Sequence, residues 1–296
     1  VPPLEHLLLG QHEVVAVYTP PDKPAGRGRN LVASPVKVAA EKMGLPVVQP
    51  DSLKSDEAFA ELAAFSPEMI VVAAYGQLLP RAVLELPRYG CINIHPSLLP
   101  QYRGASPVVG AILAGDEFAG VSIMLLDRGM DTGPVFTRAQ IGISDRDTTG
   151  TLTAKLSLMG ARLLQEVLVC WLRGELSPRP QDEAEATYTS PIAKEDGRID
   201  WHLSAADIWR RVRAFQTWPG CYTYWQDKQL KIMEAVPVPG GGETEVGRVV
   251  EMEAEFGVIT GSGILGVMTV QPEGKRPMSA DEFLRGKRQL IGEILD

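Results

Sequence analysis

Short apolar runs alternate with stretches of helical periodicity through the first 175 residues of the chain. The apolar runs predict strands at 14–19, 69–75, 91–95 and 121–126. The runs are predominantly apolar, which is typical of a parallel sheet that is covered on both faces. Helical patterns occupy 2–10, 34–43, 55–64, 80–86, 105–114 and 148–173. This alternation predicts an α/β domain with a doubly wound, mostly parallel sheet.

The pattern changes after this domain. Residues 179–199 are polar and contain several prolines, which is typical of a linker. A helix is predicted at 204–215, with Ser204 as its N-cap, and short β-like runs separated by glycines and prolines follow it. These runs predict a small antiparallel barrel. We therefore divide the chain into a domain at 1–178, a linker at 179–199 and a barrel domain at 200–296.

The first predicted element is a helix at 2–10, although alternating α/β chains usually begin with a strand. We therefore expect that the first strand of the domain precedes Val1. Any ligand contact made from the turn after that strand is then outside this sequence.

Composition narrows the class of protein. Of the 296 residues, 45% are hydrophobic and 22% are charged, as in soluble globular proteins, and no apolar run is long enough to span a bilayer. The first residues lack the basic start and cleavage site of a signal peptide. Cys91, Cys170 and Cys221 show no CxxC spacing, which predicts reduced thiols in a cytoplasm and no zinc site. The net charge of -8 argues against non-specific binding of nucleic acid but allows a local basic patch.

Asn93 and His95 end the predicted strand at 91–95. Residues i and i+2 of a strand point to the same face, and open α/β sheets place their active crevice at the carboxyl ends of strands. The pair therefore offers an amide donor and a base that titrates near neutral pH at a candidate catalytic edge. A structural histidine beside a capping asparagine is the alternative interpretation.

The loop that follows this strand carries an adjacent pair of leucines, Leu98 and Leu99. In an ordinary loop both would be exposed, and exposed apolar side chains are typical of a ligand or partner site. A loop that packs on the core is the alternative.

Asp131 follows the next predicted strand and lies between Gly129 and Gly133. A plain turn explains this composition equally well. We expect Asn93, His95 and Asp131 to converge at one edge, because both strands belong to the same predicted sheet.

An amide, an imidazole and a carboxylate together suit acyl transfer to an amine. Asn93 would donate to a developing oxyanion, His95 would handle a proton, and Asp131 would orient the imidazole or a bridging water. The chain contains no GxSxG motif, so direct transfer is favoured over a covalent intermediate.

The segments "NIHPSLLPQYRGASPV" (93–108) and "GMDTGPV" (129–135) resemble the signature of the formyltransferases that use 10-formyltetrahydrofolate. The resemblance implies a Rossmann-like catalytic domain, an OB-like C-terminal domain, and a folate co-substrate as formyl donor with no metal. It implies that Asn93, His95 and Asp131 are the catalytic residues. It also implies that the folate site is lined by Ser97, Leu98, Leu99 and Pro100.

Three further stretches, at 19–37, 197–220 and 272–286, resemble the member of this family that acts on methionyl-tRNA. The resemblance implies initiator methionyl-tRNA as partner, a role in translation initiation, and a monomer in a bacterial-type cytoplasm. Contacts to tRNA would then come from Lys23, Arg27 and Arg29 in a basic loop and from Lys194, Arg198, Lys275 and Arg276 in the second domain.

The basic loop also supports this assignment from its own residues. Lys23, Arg27 and Arg29 outweigh Asp22, and arginines on a loop can become ordered on phosphates. A solvated surface loop is the alternative, and single surface lysines and arginines often have no specific role.

Two rival functions remain open. One is a folate-dependent formyltransferase for a small amine such as glycinamide ribonucleotide or an amino sugar, against which the long second domain and the basic loop argue. The other is a non-catalytic module that binds RNA or folate and that would tolerate loss of Asn93, His95 and Asp131. Binding of tRNA through phosphates should weaken steeply as salt rises, whereas binding of a small amine should not.

Overall fold

The structure is a computed structural model that describes residues 1–10, 12–25, 30–216, 218–240, 245–253 and 255–296. The helices are α1 (Pro2–Leu9), α2 (Pro35–Lys42), α3 (Asp56–Ala64), α4 (Arg81–Leu84), α5 (Pro107–Ala114), α6 (Thr149–Leu172), α7 (Ala205–Ala214) and α8 (Ala280–Arg285). Short 3-10 turns lie at Glu183–Glu185, Glu195–Gly197 and Arg288–Leu290. The predicted helices are thus confirmed, with small differences at their ends.

The strands of the first half are β1 (Val17–Tyr18), β2 (Lys23–Ala25), β3 (Asn30–Val32), β4 (Val47–Val48), β5 (Ile70–Val72), β6 (Cys91–His95), β7 (Arg103–Gly104), β8 (Phe118–Leu125) and β9 (Val135–Gly142). Those of the second half are β10 (Tyr188–Thr189), β11 (Cys221–Trp225), β12 (Lys228–Val238), β13 (Val249–Met252), β14 (Glu255–Ile259), β15 (Ile264–Pro272) and β16 (Met278–Ser279). No helix in the described residues is long and apolar enough to cross a membrane.

The chain divides into two compact units. The first unit comprises Val1–Pro107, Ala119–Ile141 and Ala154–Thr189, and the second comprises Val108–Phe118, Gly142–Thr153 and Ser190–Asp296. The start of the predicted linker at 179–199 therefore lies inside the first unit. There Arg179 forms a bridge with Val135, and β10 pairs in parallel with β7.

The main sheet of the first unit is mixed, with the strand order β5-β6-β8-β9. β5 and β6 are parallel, whereas β6 and β8 are antiparallel, so that His95 lies opposite Ser122 and Ile92 lies opposite Leu125. β1 and β4 form a separate parallel pair. Because a strand covered on both faces is apolar whichever way its neighbour runs, the sequence pattern did not reveal the reversed direction of β8.

β6 is buried along its whole length and gives the site a rigid base. Helix α6 approaches it closely at Gly160, where a Cβ atom would lie 2.6 Å from Cγ2 of Ile94. Further along α6, Nε1 of Trp171 donates to the Tyr89 carbonyl at 3.1 Å, just before the strand begins. A site at the end of β6 therefore rests on an element that has little freedom to move.

The second unit contains the predicted antiparallel sheet, in the order β11-β12-β15-β14-β13, with β16 paired to β15. The last residues of the chain link its two edges. Ile294 bridges to Arg248 beside β13, and the Asp296 amide donates to the Tyr224 carbonyl of β11 at 3.4 Å. The C-terminal tail therefore contacts both edges of this sheet.

Candidate active site

The turn after β6 is fixed by a serine on the neighbouring strand. The Ser122 hydroxyl donates to the Ser97 carbonyl at 2.7 Å and accepts from the Leu99 amide at 3.0 Å. Ser97 in turn donates through its own hydroxyl to the Gln101 carbonyl at 2.6 Å. Because Ser122 lies opposite His95 in the strand register, these bonds fix the turn to the strand next to the histidine.

His95 is 4% exposed, and its two ring nitrogens have different partners. Nε2 lies 3.0 Å from the Tyr102 carbonyl oxygen. A carbonyl can only accept, so Nε2 carries the hydrogen and the neutral imidazole keeps its lone pair on Nδ1. Nδ1 faces Oδ1 of Asp131 at 3.6 Å.

Nδ1 of His95 and Oδ1 of Asp131 are thus two acceptors that face each other without a proton between them in the neutral state. A donor that lies beside the pair within hydrogen-bonding reach of both atoms, such as an ammonium or a water, would bond to both. If His95 is protonated instead, the same pair becomes an ion pair. The geometry therefore suits a point at which a proton is taken up and held.

Asp131 is held in this position from its own side as well. Its Oδ2 accepts from the Gly104 amide at 2.9 Å, which leaves Oδ1 directed at His95. Its φ of 56° lies in the left-handed region, which few residues other than glycine and the Asx residues adopt readily. Asp131 follows β8, whose carboxyl end lies at the opposite end of the sheet from His95. The connection between β8 and β9 must therefore return along the sheet to bring the carboxylate to the imidazole.

Burial lowers the pKa of His95 below its usual value, and the Asp131 carboxylate and the Tyr102 carbonyl offset part of this effect. At neutral pH the imidazole is therefore uncharged, which is the state a base requires.

Asn93 is 9% exposed and lies two residues before His95 on β6, so both side chains project from the same face of the strand. Its role as a donor remains a prediction from this placement. In the described residues, no group of three or more His, Cys, Asp or Glu side chains is placed to hold a metal ion.

The adjacent leucines differ in their surroundings. Leu99 is 0% exposed and packs with Met124 and Val135, so it belongs to the core, contrary to the expectation that both would be exposed. Leu98 is half-buried and packs over Gly120, where a Cβ would lie 2.3 Å from its Cδ2. The loop turns inward because its amide and carbonyl groups are satisfied by Ser122, which allows one leucine to enter the core.

A pocket of about 380 Å³ lies beside this loop, within the first unit. It is lined by Leu98, Leu99, Pro100, Gln101, Arg138, Ala139, Gln140 and Glu185. Three of the four residues predicted to line a folate site thus contribute to this pocket, whereas the hydroxyl of the buried Ser97 is used inside the turn.

The predicted tRNA-binding residues are distributed over both units. Lys23 is exposed on β2, while Arg27 and Arg29 lie outside the described residues. In the second unit Lys194, Arg198, Lys275 and Arg276 are all exposed. Of these, Arg198 lies over the Tyr224 ring and Arg276 pairs with Glu282 at 2.6 Å.

Sequence reasoning did not identify the groups that support the three predicted catalytic residues. Ser122 gave a weak signal, as a lone hydroxyl in an apolar strand. Tyr102 and Gly104 act through main-chain atoms, which leave no trace in residue type. Gln181 bonds to the Asp131 carbonyl at 2.8 Å but lies in the predicted linker, where no pattern marks it.

Both parts of the chain match protein families that are already known. Residues 4–168 match the formyl transferase family, and residues 191–288 match the C-terminal domain of formyl transferases. A methionyl-tRNA formyltransferase of Chloroflexus aggregans is 48% identical over 285 residues, which is 96% of this chain and 92% of that protein. One from Dehalococcoides mccartyi is 48% identical over 293 residues, which is 98% of this chain and 93% of that protein.

Solved structures resemble the fold. WlaRD, a sugar 3N-formyl transferase, matches with a TM-score of 0.65 at 20% identity and covers 93% of this chain and 94% of its own. HypX from Aquifex aeolicus, in complex with tetrahydrofolic acid, matches with a TM-score of 0.61 at 18% identity over 83% of this chain and 43% of its own. The predicted fold class, a doubly wound α/β domain followed by a small β domain, is confirmed.

Proposed function

This chain belongs to the formyl transferase family, and we propose that it transfers a formyl group from 10-formyltetrahydrofolate to the α-amine of methionyl-tRNA for translation initiation. One observation carries the choice of substrate. Relatives named methionyl-tRNA formyltransferase align with more than nine-tenths of this chain and of their own length, at 47–48% identity. The sugar formyltransferase, at 20% identity, shares the fold only.

The reaction requires a neutral amine as nucleophile, and an α-amine with a pKa of about 7.7–8.0 is largely protonated at neutral pH. Nδ1 of His95 carries the free lone pair and faces Asp131, so we assign to this nitrogen the removal of the ammonium proton, directly or through water. Asp131 stabilises the imidazolium that results, because its carboxylate lies 3.6 Å away in a buried setting.

Attack of the amine on the formyl carbon places negative charge on the formyl oxygen. We assign the stabilisation of this oxyanion to the side-chain amide of Asn93, which projects from the same face of β6 as His95. A new carbon–nitrogen bond to the amine forms, and the bond between the formyl carbon and N10 of the folate breaks. The attacking nitrogen gives up its second proton as the intermediate collapses. N10 takes up a proton, held until then by His95 with Asp131, as tetrahydrofolate leaves, so that one proton passes to solvent overall.

The folate co-substrate is assigned to the loop at 97–100 and the pocket beside it. A volume of about 380 Å³ lies within the range of small-molecule sites. Leu98 and Pro100 supply apolar walls, and Gln101 and Arg138 supply polar groups at the same pocket.

The tRNA partner is assigned to the exposed basic residues Lys23, Lys194, Arg198, Lys275 and Arg276, together with Arg27 and Arg29. A monomeric state and a cytoplasmic location remain predictions that accompany this function.

The direct test offers three amines to the protein in the presence of 10-formyltetrahydrofolate. Methionyl-tRNA, free methionine and glycinamide ribonucleotide are incubated separately, and the formylated products are quantified by mass spectrometry. We expect formylation of methionyl-tRNA only. Formylation of glycinamide ribonucleotide in preference to methionyl-tRNA would assign the site to a small amine instead.

A further inference from the structure

The main chain at Asp131 is held by contacts other than those of its own side chain. The residue lies in a long connection between β8 and β9, and its backbone has a φ of 56°. The Gly104 amide fixes one carboxylate oxygen, yet the main chain must also be held for the other oxygen to face His95. The group that holds the main chain is the side chain of Gln181.

Gln181 binds the Asp131 loop at two points. Its Nε2 donates to the Asp131 carbonyl at 2.8 Å and to the Gly133 carbonyl at 2.7 Å. Its Oε1 accepts from Nε of Arg103 at 3.1 Å and from Nη2 of the same residue at 2.9 Å. The amide can adopt only this orientation, since a flip would set its NH2 against the guanidinium and its oxygen against two carbonyls.

Arg103 has 0% exposure, and its five N–H groups are all used. Two bonds go to Gln181, two go to the carboxylate of Glu183 at 2.7 and 2.9 Å, and one goes to the Tyr188 hydroxyl at 2.9 Å. A bidentate arginine–carboxylate pair is geometrically specific, so the guanidinium is held in one orientation. The fixed guanidinium of Arg103 therefore holds the side-chain amide of Gln181 in one position.

The same short segment reaches the catalytic pair in three ways. The Tyr102 carbonyl accepts from His95, the Arg103 side chain holds Gln181, and the Gly104 amide donates to Asp131. Pairing of β7 with β10 brings this segment together with the part of the chain that carries Gln181.

We propose that Gln181 is a positioning residue for formyl transfer: it fixes the main chain of Asp131 so that the carboxylate meets Nδ1 of His95, and Arg103 fixes the amide of Gln181. This role rests on the proposed function, because it concerns the same catalytic pair. Gln181 acts through Asp131 and touches no reacting atom.

The test compares Gln181→Met, Asp131→Asn and the double variant, with Gln165→Met as the matched control. Gln165 is also half-buried in the first unit and also donates to a backbone carbonyl, that of His6 at 2.6 Å. Methionine keeps the length of glutamine and removes both hydrogen-bonding groups. Formylation is measured under single-turnover and steady-state conditions, and the amide proton of Gly104 is followed by NMR hydrogen exchange.

We expect Gln181→Met to lower kcat by about 10²-fold, the scale associated with a small misplacement of a catalytic group, with KM unchanged for either substrate. The double variant should be no slower than Asp131→Asn alone, because both substitutions remove the same contact. The Gly104 amide should exchange faster in Gln181→Met, as in Asp131→Asn, and should be unaffected by Gln165→Met.

A normal kcat in Gln181→Met, or multiplicative losses in the double variant, would overturn the inference. So would unchanged protection of the Gly104 amide. This last readout needs no turnover, so it still tests the positioning role if the wild-type protein formylates an amine other than that of methionyl-tRNA. The choice of amine by the wild-type protein tests the proposed function separately.

Discussion

His95 uses its two ring nitrogens for different purposes, and this division determines what the site can do. Nε2 is committed to the Tyr102 carbonyl, so the proton chemistry falls to Nδ1 and its neighbour Asp131. The position of His95 at the end of a buried strand, two residues after Asn93, was predicted from the sequence alone. The tautomer was not, because it depends on a carbonyl seven residues further along the chain.

Asp131→Asn should lower the pKa of His95 further. Burial already lowers this pKa, and the carboxylate favours the charged imidazolium, so its removal leaves only the Tyr102 carbonyl to oppose desolvation. NMR titration of the imidazole carbon signals measures the change. Because the protonated form is disfavoured in the folded state, both proteins should keep a neutral His95 at pH 7, and the variant should stay neutral to a lower pH. An upward shift would contradict the contact.

Asn93→Ala should reduce kcat by about 10²–10³-fold, as is typical when one oxyanion donor is removed. The fold should persist, because the main-chain pairing of residue 93 with Val72 and Met124 does not depend on its side chain. Single-turnover formylation, together with a circular-dichroism spectrum, separates the two effects. A normal rate would remove Asn93 from the mechanism.

Among the elements, β6 and β8 show where prediction from sequence succeeds and where it stops. The bounds of β6 were predicted correctly because Pro96, which cannot donate to the strand ladder, follows its last residue. The direction of β8 was not predicted. The route by which Asp131 reaches His95 was therefore not predicted either. The convergence of the two residues was nonetheless predicted correctly, although the return of the β8–β9 connection, rather than a shared strand edge, produces it.

The segment at 179–189 shows a second limit. Its polar, proline-containing composition predicts a linker, yet it pairs with β7 and supplies Gln181 and Glu183 to Arg103. The interactions join residues about 80 positions apart and use polar side chains, for which no periodic pattern exists.

Gly104→Ala should destabilise the pairing of β7 and β10. The glycine has a φ of 104°, and an added Cβ would lie 2.4 Å from the Thr189 carbonyl oxygen. We expect a loss of about 1–3 kcal/mol in unfolding free energy, the range for a residue held in a disfavoured conformation, measured by urea denaturation. Gly142→Ala, on β9 with open space around it, serves as control and should be nearly neutral.

The whole molecule combines a net charge of -8 with a set of exposed lysines and arginines. Such a distribution disfavours non-specific binding of RNA and leaves recognition to a local basic surface. The family match covers both parts of the chain. Relatives of similar length are named methionyl-tRNA formyltransferase, which is the activity proposed for this chain. The sequence predicted this function through its motifs, whereas the supporting network around Asp131 required coordinates.

The KM for methionyl-tRNA should rise steeply between 50 and 200 mM salt, because contacts to phosphates release counterions. A methionyl ester of adenosine, which has no phosphate, should show little change. Lys275→Gln should reduce the slope of log KM against log salt by about one. Lys54 is an exposed lysine outside the predicted tRNA-binding set, so Lys54→Gln should leave the slope unchanged. Equal salt dependence for both substrates would contradict recognition through the tRNA backbone.

In the mechanism we propose, His95 and Asp131 together remove the proton from the amine of methionyl-tRNA. Rapid-quench measurement of one turnover of formyl transfer tests it most directly, with wild-type protein, His95→Gln, Asp131→Asn and the double variant. We expect a loss of at least about 10²-fold for His95→Gln and no further loss in the double variant, since the two residues act as one unit. A His95→Gln variant that formylates methionyl-tRNA at the wild-type rate would contradict the claim.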